Sequence, residues 1–177
     1  MLLIICGPPC TGKSTIGAEL QRRFGFVHLE MDAIRQRILP ESDQRQEHRD
    51  VGYRAMHLVA EHLCYAGKKV AVNATYNREL HRNELATMLE SISCSTILVQ
   101  CMAPLETVMA RFTSRPSGHA ALDLTEDLVR ELWSNFAYSR DGIVVDTSKS
   151  VAVCLDEIET HLNRRVADSI ERWKRME

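Results

Sequence analysis

No apolar run in this 177-residue sequence approaches the roughly 20 residues needed to cross a membrane. The apolar start, Met1-Leu2-Leu3-Ile4-Ile5-Cys6, has no basic stretch before it and is cut short by Gly7-Pro8-Pro9. It reads as a strand and not as a signal peptide, so a cytoplasmic location is the expectation. A basic excess is missing too: 22 Lys and Arg face 24 Asp and Glu, for a net charge of -2. No overall positive field draws the chain onto nucleic acid or anionic lipid. Aromatic residues make up only 6%, too few to suggest a stacking platform for single strands. The six cysteines (Cys6, Cys10, Cys64, Cys94, Cys101 and Cys154) contain no CxxC pair, which leaves a zinc site or disulfide framework without support. Cys6, Cys94 and Cys101 lie in or beside apolar runs and read as small hydrophobes. With no internal repeat and no low-complexity linker, residues 1–177 are expected to form a single domain.

What is present is an alternation of apolar runs with segments of helical period, the pattern of an α/β protein with a parallel sheet. Five strands are expected: Leu2–Cys6, Phe26–Leu29, Val70–Ala74, Thr96–Cys101 and Ile143–Asp146. Between them fall a helix from Lys13 ended by Gly25 and a short one from Asp32 to Leu39 closed by Pro40. A long helix over Gln44–Ala66 should turn Val51, Ala55, Leu58, Val59, His62 and Leu63 to one face, with His48, His57 and His62 as solvated residues. Further helices are expected from Arg78 to Glu90, after Pro104, from Thr125 to about Tyr138, and over 151–175.

The chemistry starts at Gly7-Pro8-Pro9-Cys10-Thr11-Gly12-Lys13-Ser14, followed by Thr15, which fits GxxxxGK[ST] between a strand and a helix. The glycines let the backbone curl so that successive N–H groups face the phosphates. The helix N-terminus adds its dipole. Lys13 can reach the β- and γ-phosphate oxygens, and the Ser14 hydroxyl can ligate Mg²⁺.

Three later features accompany it. Asp32-Ala33-Ile34-Arg35 follows the second strand, where an open sheet turns its strand ends toward the ligand crevice. A carboxylate there can take the proton of an attacking hydroxyl, and an arginine one turn on can hold an anionic acceptor group. Taken alone, the pair would read as a helix cap and a surface arginine. Asn73-Ala74-Thr75 ends the third strand, and Asn73 and Thr75 can hydrogen-bond the acceptor or a water of the metal shell. Arg111 and Arg115 close a helix and open a polar loop, about 111–123. Their spacing would set both on one helical face, as a lid over transferring phosphates or as dipole-compensating surface residues.

In this order of motifs the chain resembles the small P-loop kinases over nearly its whole length. That group includes nucleoside-monophosphate and shikimate kinases, chloramphenicol phosphotransferase, zeta-toxin kinases, the phage-type polynucleotide 5′-kinase and predicted kinases of AAA type. The resemblance implies a three-layer P-loop fold with five parallel strands and a lid. It implies ATP and Mg²⁺, with Asp32 as general base, Arg35 as acceptor clamp, and Arg111 and Arg115 as lid arginines. Related kinases usually carry Asp where this chain has Asn73. Asp146-Thr147-Ser148 resembles the loop that packs on the adenine, and no guanine-type Asn-Lys-x-Asp is present, so ATP is the expected donor. The acceptor is a small molecule, a nucleotide or a polynucleotide 5′ end, met by the wall helix 44–66, in a monomer or homodimer. A nucleotide-hydrolysing regulatory ATPase and a non-catalytic ATP-binding module are the alternatives.

Overall fold

The computed structural model describes residues 1–174 apart from 44, 91, 93 and 116–123, and for 165–174 the backbone alone. Five strands, β1 (Leu2–Cys6), β2 (Val27–Glu30), β3 (Val70–Asn73), β4 (Thr96–Met102) and β5 (Ile143–Asp146), pair in parallel in the order β2-β3-β1-β4-β5. Every residue of β1 and β3 is buried, because a parallel sheet is covered by helices on both faces. That double burial is what makes these strands continuous apolar runs in the sequence.

The helices are α1 (Lys13–Phe24), α2 (Met31–Ile38), α3 (Gln46–Tyr65), α4 (Glu79–Glu90), α5 (Leu105–Thr113), α6 (Glu126–Ser134) and α7 (Val151–Lys174). Alternate residues of β1 feed two separate cores. Leu2, Ile4 and Cys6 join Tyr53, Met56 and Ala60 of α3 and Leu85 and Leu89 of α4 on one side. Leu3 and Ile5 join Ile16 and Leu20 of α1 and Leu155 and Ile158 of α7 on the other. The result is the expected three-layer α/β sandwich. Among the described residues no helix is long and apolar enough to cross a membrane, and all six cysteines are free thiols.

Two expectations about helices need correction. Helix α3 packs on the sheet through Tyr53, Met56, His57, Ala60 and Cys64, while Val51, Leu58 and Val59 of the expected face are exposed. Hydropathy misleads here because the inner stripe contains a histidine and a tyrosine whose polar atoms are satisfied internally. Buried His57 Nε2 lies 3.0 Å from Tyr76 Oη, and Tyr53 Oη accepts from the Tyr76 backbone N–H at 3.0 Å. His57 is therefore a core residue and not a solvated one. Helix α6 ends at Ser134, one turn before Tyr138, and its start is fixed by Thr125, whose side chain accepts from Leu128 N–H.

Strand register then positions the site. Glu30 and Ile5 both pair with Asn73, so the carboxyl ends of β1, β2 and β3 lie side by side, where an open α/β sheet takes its ligands.

Candidate active site

The loop between β1 and α1 is fixed by its own backbone. Gly7 has φ 143°, and a Cβ there would run into the carbonyl oxygen of Cys101 on β4. Gly12, at φ 81°, is the left-handed residue just before α1. Thr11 Oγ1 and Lys13 Nζ both donate to the Pro8 carbonyl at 2.8 Å, which curls the chain around the first turn of the helix. Pro9, Cys10, Gly12, Lys13, Ser14 and Thr15 line a cavity of about 420 Å³, and Gly7, Pro8 and Thr11 are not among its lining residues. Burial pulls the Lys13 ammonium below the ordinary lysine range, with Cys101 and Asp32 opposing the shift. Anionic phosphates beside it would favour the charged form.

Asn73 links two oxygen groups: its Nδ2 donates to Ser14 Oγ and to Glu30 Oε1, both at 3.0 Å. Glu30 ends β2, lines the cavity, and was missed in the sequence reading, which stopped at Asp32. The available signal was a second acid two residues earlier, on the same strand end. The Ser14 hydroxyl and the Glu30 carboxylate are hard oxygen donors that suit Mg²⁺, and the Asn73 amide between them holds them together. Among the described residues no group of three or more His, Cys, Asp or Glu could hold a metal alone. Nucleotide phosphates and water would complete the shell of an ion held there.

Asp32, in the first turn of α2, lines the same cavity as the loop. Its Oδ1 is buried without a hydrogen-bond partner and lies 3.4 Å from Arg35 Nη2. Arg35 itself does not face the cavity. It is 1% exposed, its Nη1 donates to the Asp43 carbonyl, and its stem packs under Gly52 of α3. The expected acceptor clamp is thus part of the wall behind Asp32, since α3 lies across it. Arg49, from α3, lines the cavity instead, with Ala33, Ala74 and Thr75. The Thr75 carbonyl accepts from Gly7 N–H at 3.2 Å and ties the end of β3 to the phosphate loop.

The two expected lid arginines differ. Arg111 lies between Cys10 O at 3.4 Å, Thr147 Oγ1 at 3.3 Å and Thr147 O at 2.6 Å. It therefore clasps the phosphate loop to the turn after β5. Thr147 Oγ1 completes the clasp by donating to Thr11 O at 2.7 Å. Arg115 comes after the end of α5 at Thr113, so the two do not share a helical face, although both line the cavity. Residues 116–123 of the expected lid lie outside the described residues. Leu124, Leu132, Val151 and Cys154 form an apolar end of the cavity beside Thr147, suited to a flat base.

A five-stranded parallel sheet carrying a P-loop at the end of its central strand defines a P-loop nucleotide-binding fold. The chain belongs to the AAA domain family, which matches residues 2–148. No curated protein matches its sequence. Among solved structures it is similar to a gluconokinase from Sinorhizobium meliloti 1021, at 17% identity and TM-score 0.71, covering 96% of this chain and 95% of that one. It is similar to the Mycobacterium tuberculosis APS kinase solved with AMPPNP and APS, at 17% identity and TM-score 0.67, covering 89% and 96%. It is also similar to shikimate kinase from Aquifex aeolicus, at 20% identity and TM-score 0.65, covering 94% and 99%. The chain thus has the fold of the small P-loop kinases.

Proposed function

We propose that this protein is an ATP-dependent kinase that transfers the γ-phosphate to a hydroxyl group of its acceptor. One observation carries the reading. A single cavity is lined by the phosphate loop with Lys13 and Ser14 and also by Asp32 and Arg49. Donor and acceptor can then meet without crossing water, the positioning on which phosphoryl transfer depends.

In this mechanism the adenine occupies the apolar end beside Thr147, and the loop N–H groups with Lys13 hold the β- and γ-phosphates. Ser14 and Glu30, held together by the Asn73 amide, would hold Mg²⁺, which would supply charge stabilisation to the phosphates. Asp32 accepts the proton of the acceptor hydroxyl as its oxygen bonds to the γ-phosphorus. The bond from that phosphorus to the bridging oxygen breaks, and ADP leaves with the electron pair. Arg115 faces the charge spread over the transferring oxygens. Arg111 keeps the base-side turn in place, and Arg35 orients Asp32 from behind.

Arg49 supports an acceptor that carries an anionic group as well as a hydroxyl, met by a guanidinium fork. A phosphorylated or carboxylated small molecule fits, as does a polynucleotide 5′ end. The test is ADP formation with Mg-ATP against a panel of such acceptors. A kinase forms ADP far faster with its acceptor than without. A rate that no acceptor changes would instead mark a hydrolysing switch.

A further inference from the structure

Helix α3 carries a second apolar stripe that its own fold does not use. Val51, Ala55, Leu58, His62 and Tyr65 follow one another at alternating steps of four and three, the a/d spacing of a helix-pairing seam. Tyr53 and Ala60, buried in the core, fall at the position opposite that seam. The stripe therefore points away from the sheet. Val51 is 40% exposed, Leu58 52%, Val59 43% and Tyr65 80%. Exposed large side chains gathered on one face of one helix mark an interaction surface.

The charges beside the seam select the occupant. Arg54 and Glu61 both occupy the flanking g position, one heptad apart and of opposite sign. In a parallel pair, g faces e, where Gly52, Val59 and Ala66 stand, and no charge pair forms. In an antiparallel pair centred between Ala55 and Leu58, each Arg54 meets the other copy's Glu61, so two ion pairs form about one twofold axis. Leu58 then packs beside the partner's Ala55, and Val51 beside its His62. The small Ala55 leaves room for the larger Leu58. This surface is complementary to itself, as an isologous dimer requires.

We infer that α3 is a homodimer interface, in which two copies pack their α3 helices antiparallel through Val51, Ala55, Leu58, His62 and Tyr65. The inference does not depend on the kinase reading. It would place the two acceptor walls back to back, since Arg49 belongs to the same helix.

Sedimentation equilibrium across the micromolar range tests it, with circular dichroism and ATP binding as checks on folding. The native chain should sediment as a concentration-dependent dimer. Leu58→Glu should raise the dimer dissociation constant at least 10-fold, with ATP binding unchanged. Arg54→Glu and Glu61→Arg should each weaken the dimer, and the double reversal should restore it. A native chain that stays monomeric would overturn the inference. So would a dimer indifferent to Leu58→Glu, or single reversals that the double variant does not rescue.

Discussion

Asn73 stands at the most informative position of the molecule, because one amide joins the hydroxyl of Ser14 to the carboxylate of Glu30. A carboxylate is expected at the end of β3 in the resembling kinases. Here the strand next door supplies it, and strand register explains how, since Glu30 pairs directly with Asn73. Glu30→Gln should raise the Mg²⁺ concentration for half-maximal activity by about 10-fold or more, measured by titrating Mg²⁺ at fixed ATP. The place of Asp32 in the cavity was legible from the sequence, because an open sheet turns its strand ends toward the ligand crevice. The placement of Arg35 was not legible, since only the crossing of α3 over α2 shows that it is buried. His57 was likewise misread as a solvated residue. Burial and the neighbouring His81 hold its imidazole down to a pKa of about 4. The unfolded chain therefore binds a proton at higher pH than the native one does. Stability should then fall as pH drops from about 6.5 toward about 4, by on the order of 3 kcal/mol in all. Urea unfolding of the native chain and of His57→Gln across that range checks the sign: the variant should show a shallower slope, while His28, also held down by burial, keeps its share.

At the scale of elements, strands were easier to read than helices. A strand buried on both faces is a plain apolar run, so all five appeared with ends close to those observed. Helix α3 has two apolar stripes, and the face picked out from the sequence holds Val51, Leu58 and Val59, which are exposed. The inner stripe includes Tyr53 and His57, which hydropathy undervalues, and Gly52, where α2 passes close enough that a Cβ would press on Met31 and Arg35. The start of α6 was readable from Thr125, a capping residue whose side chain accepts from Leu128 N–H. Thr125→Ala should cost about 1 kcal/mol in thermal or urea unfolding. Because α6 also brings Leu132 to the apolar end of the cavity, the same variant should bind ATP more weakly. The clasp of Arg111 on Thr147 was not foreseen, since it joins residues 36 positions apart. Arg111→Ala should raise KM for ATP more than it lowers kcat, whereas Arg115→Ala should mainly lower kcat.

For the whole molecule, the order of elements and the P-loop together were enough to reach the fold. The sheet order and the shared cavity needed three dimensions. A P-loop alone serves kinases, switches and motors alike, and the feature that favours the kinase proposal is that Asp32 lines the same cavity as the loop. The central claim is therefore about where the γ-phosphate goes. With ATP labelled in its γ-phosphate, Mg²⁺ and a panel of hydroxyl acceptors including 5′-hydroxyl oligonucleotides, the destination of the label decides it. The account predicts that the label moves to one class of acceptor, and that Asp32→Asn slows this transfer at least 100-fold while ATP still binds. Label released only as free phosphate, or transfer that proceeds unchanged in Asp32→Asn, would contradict it.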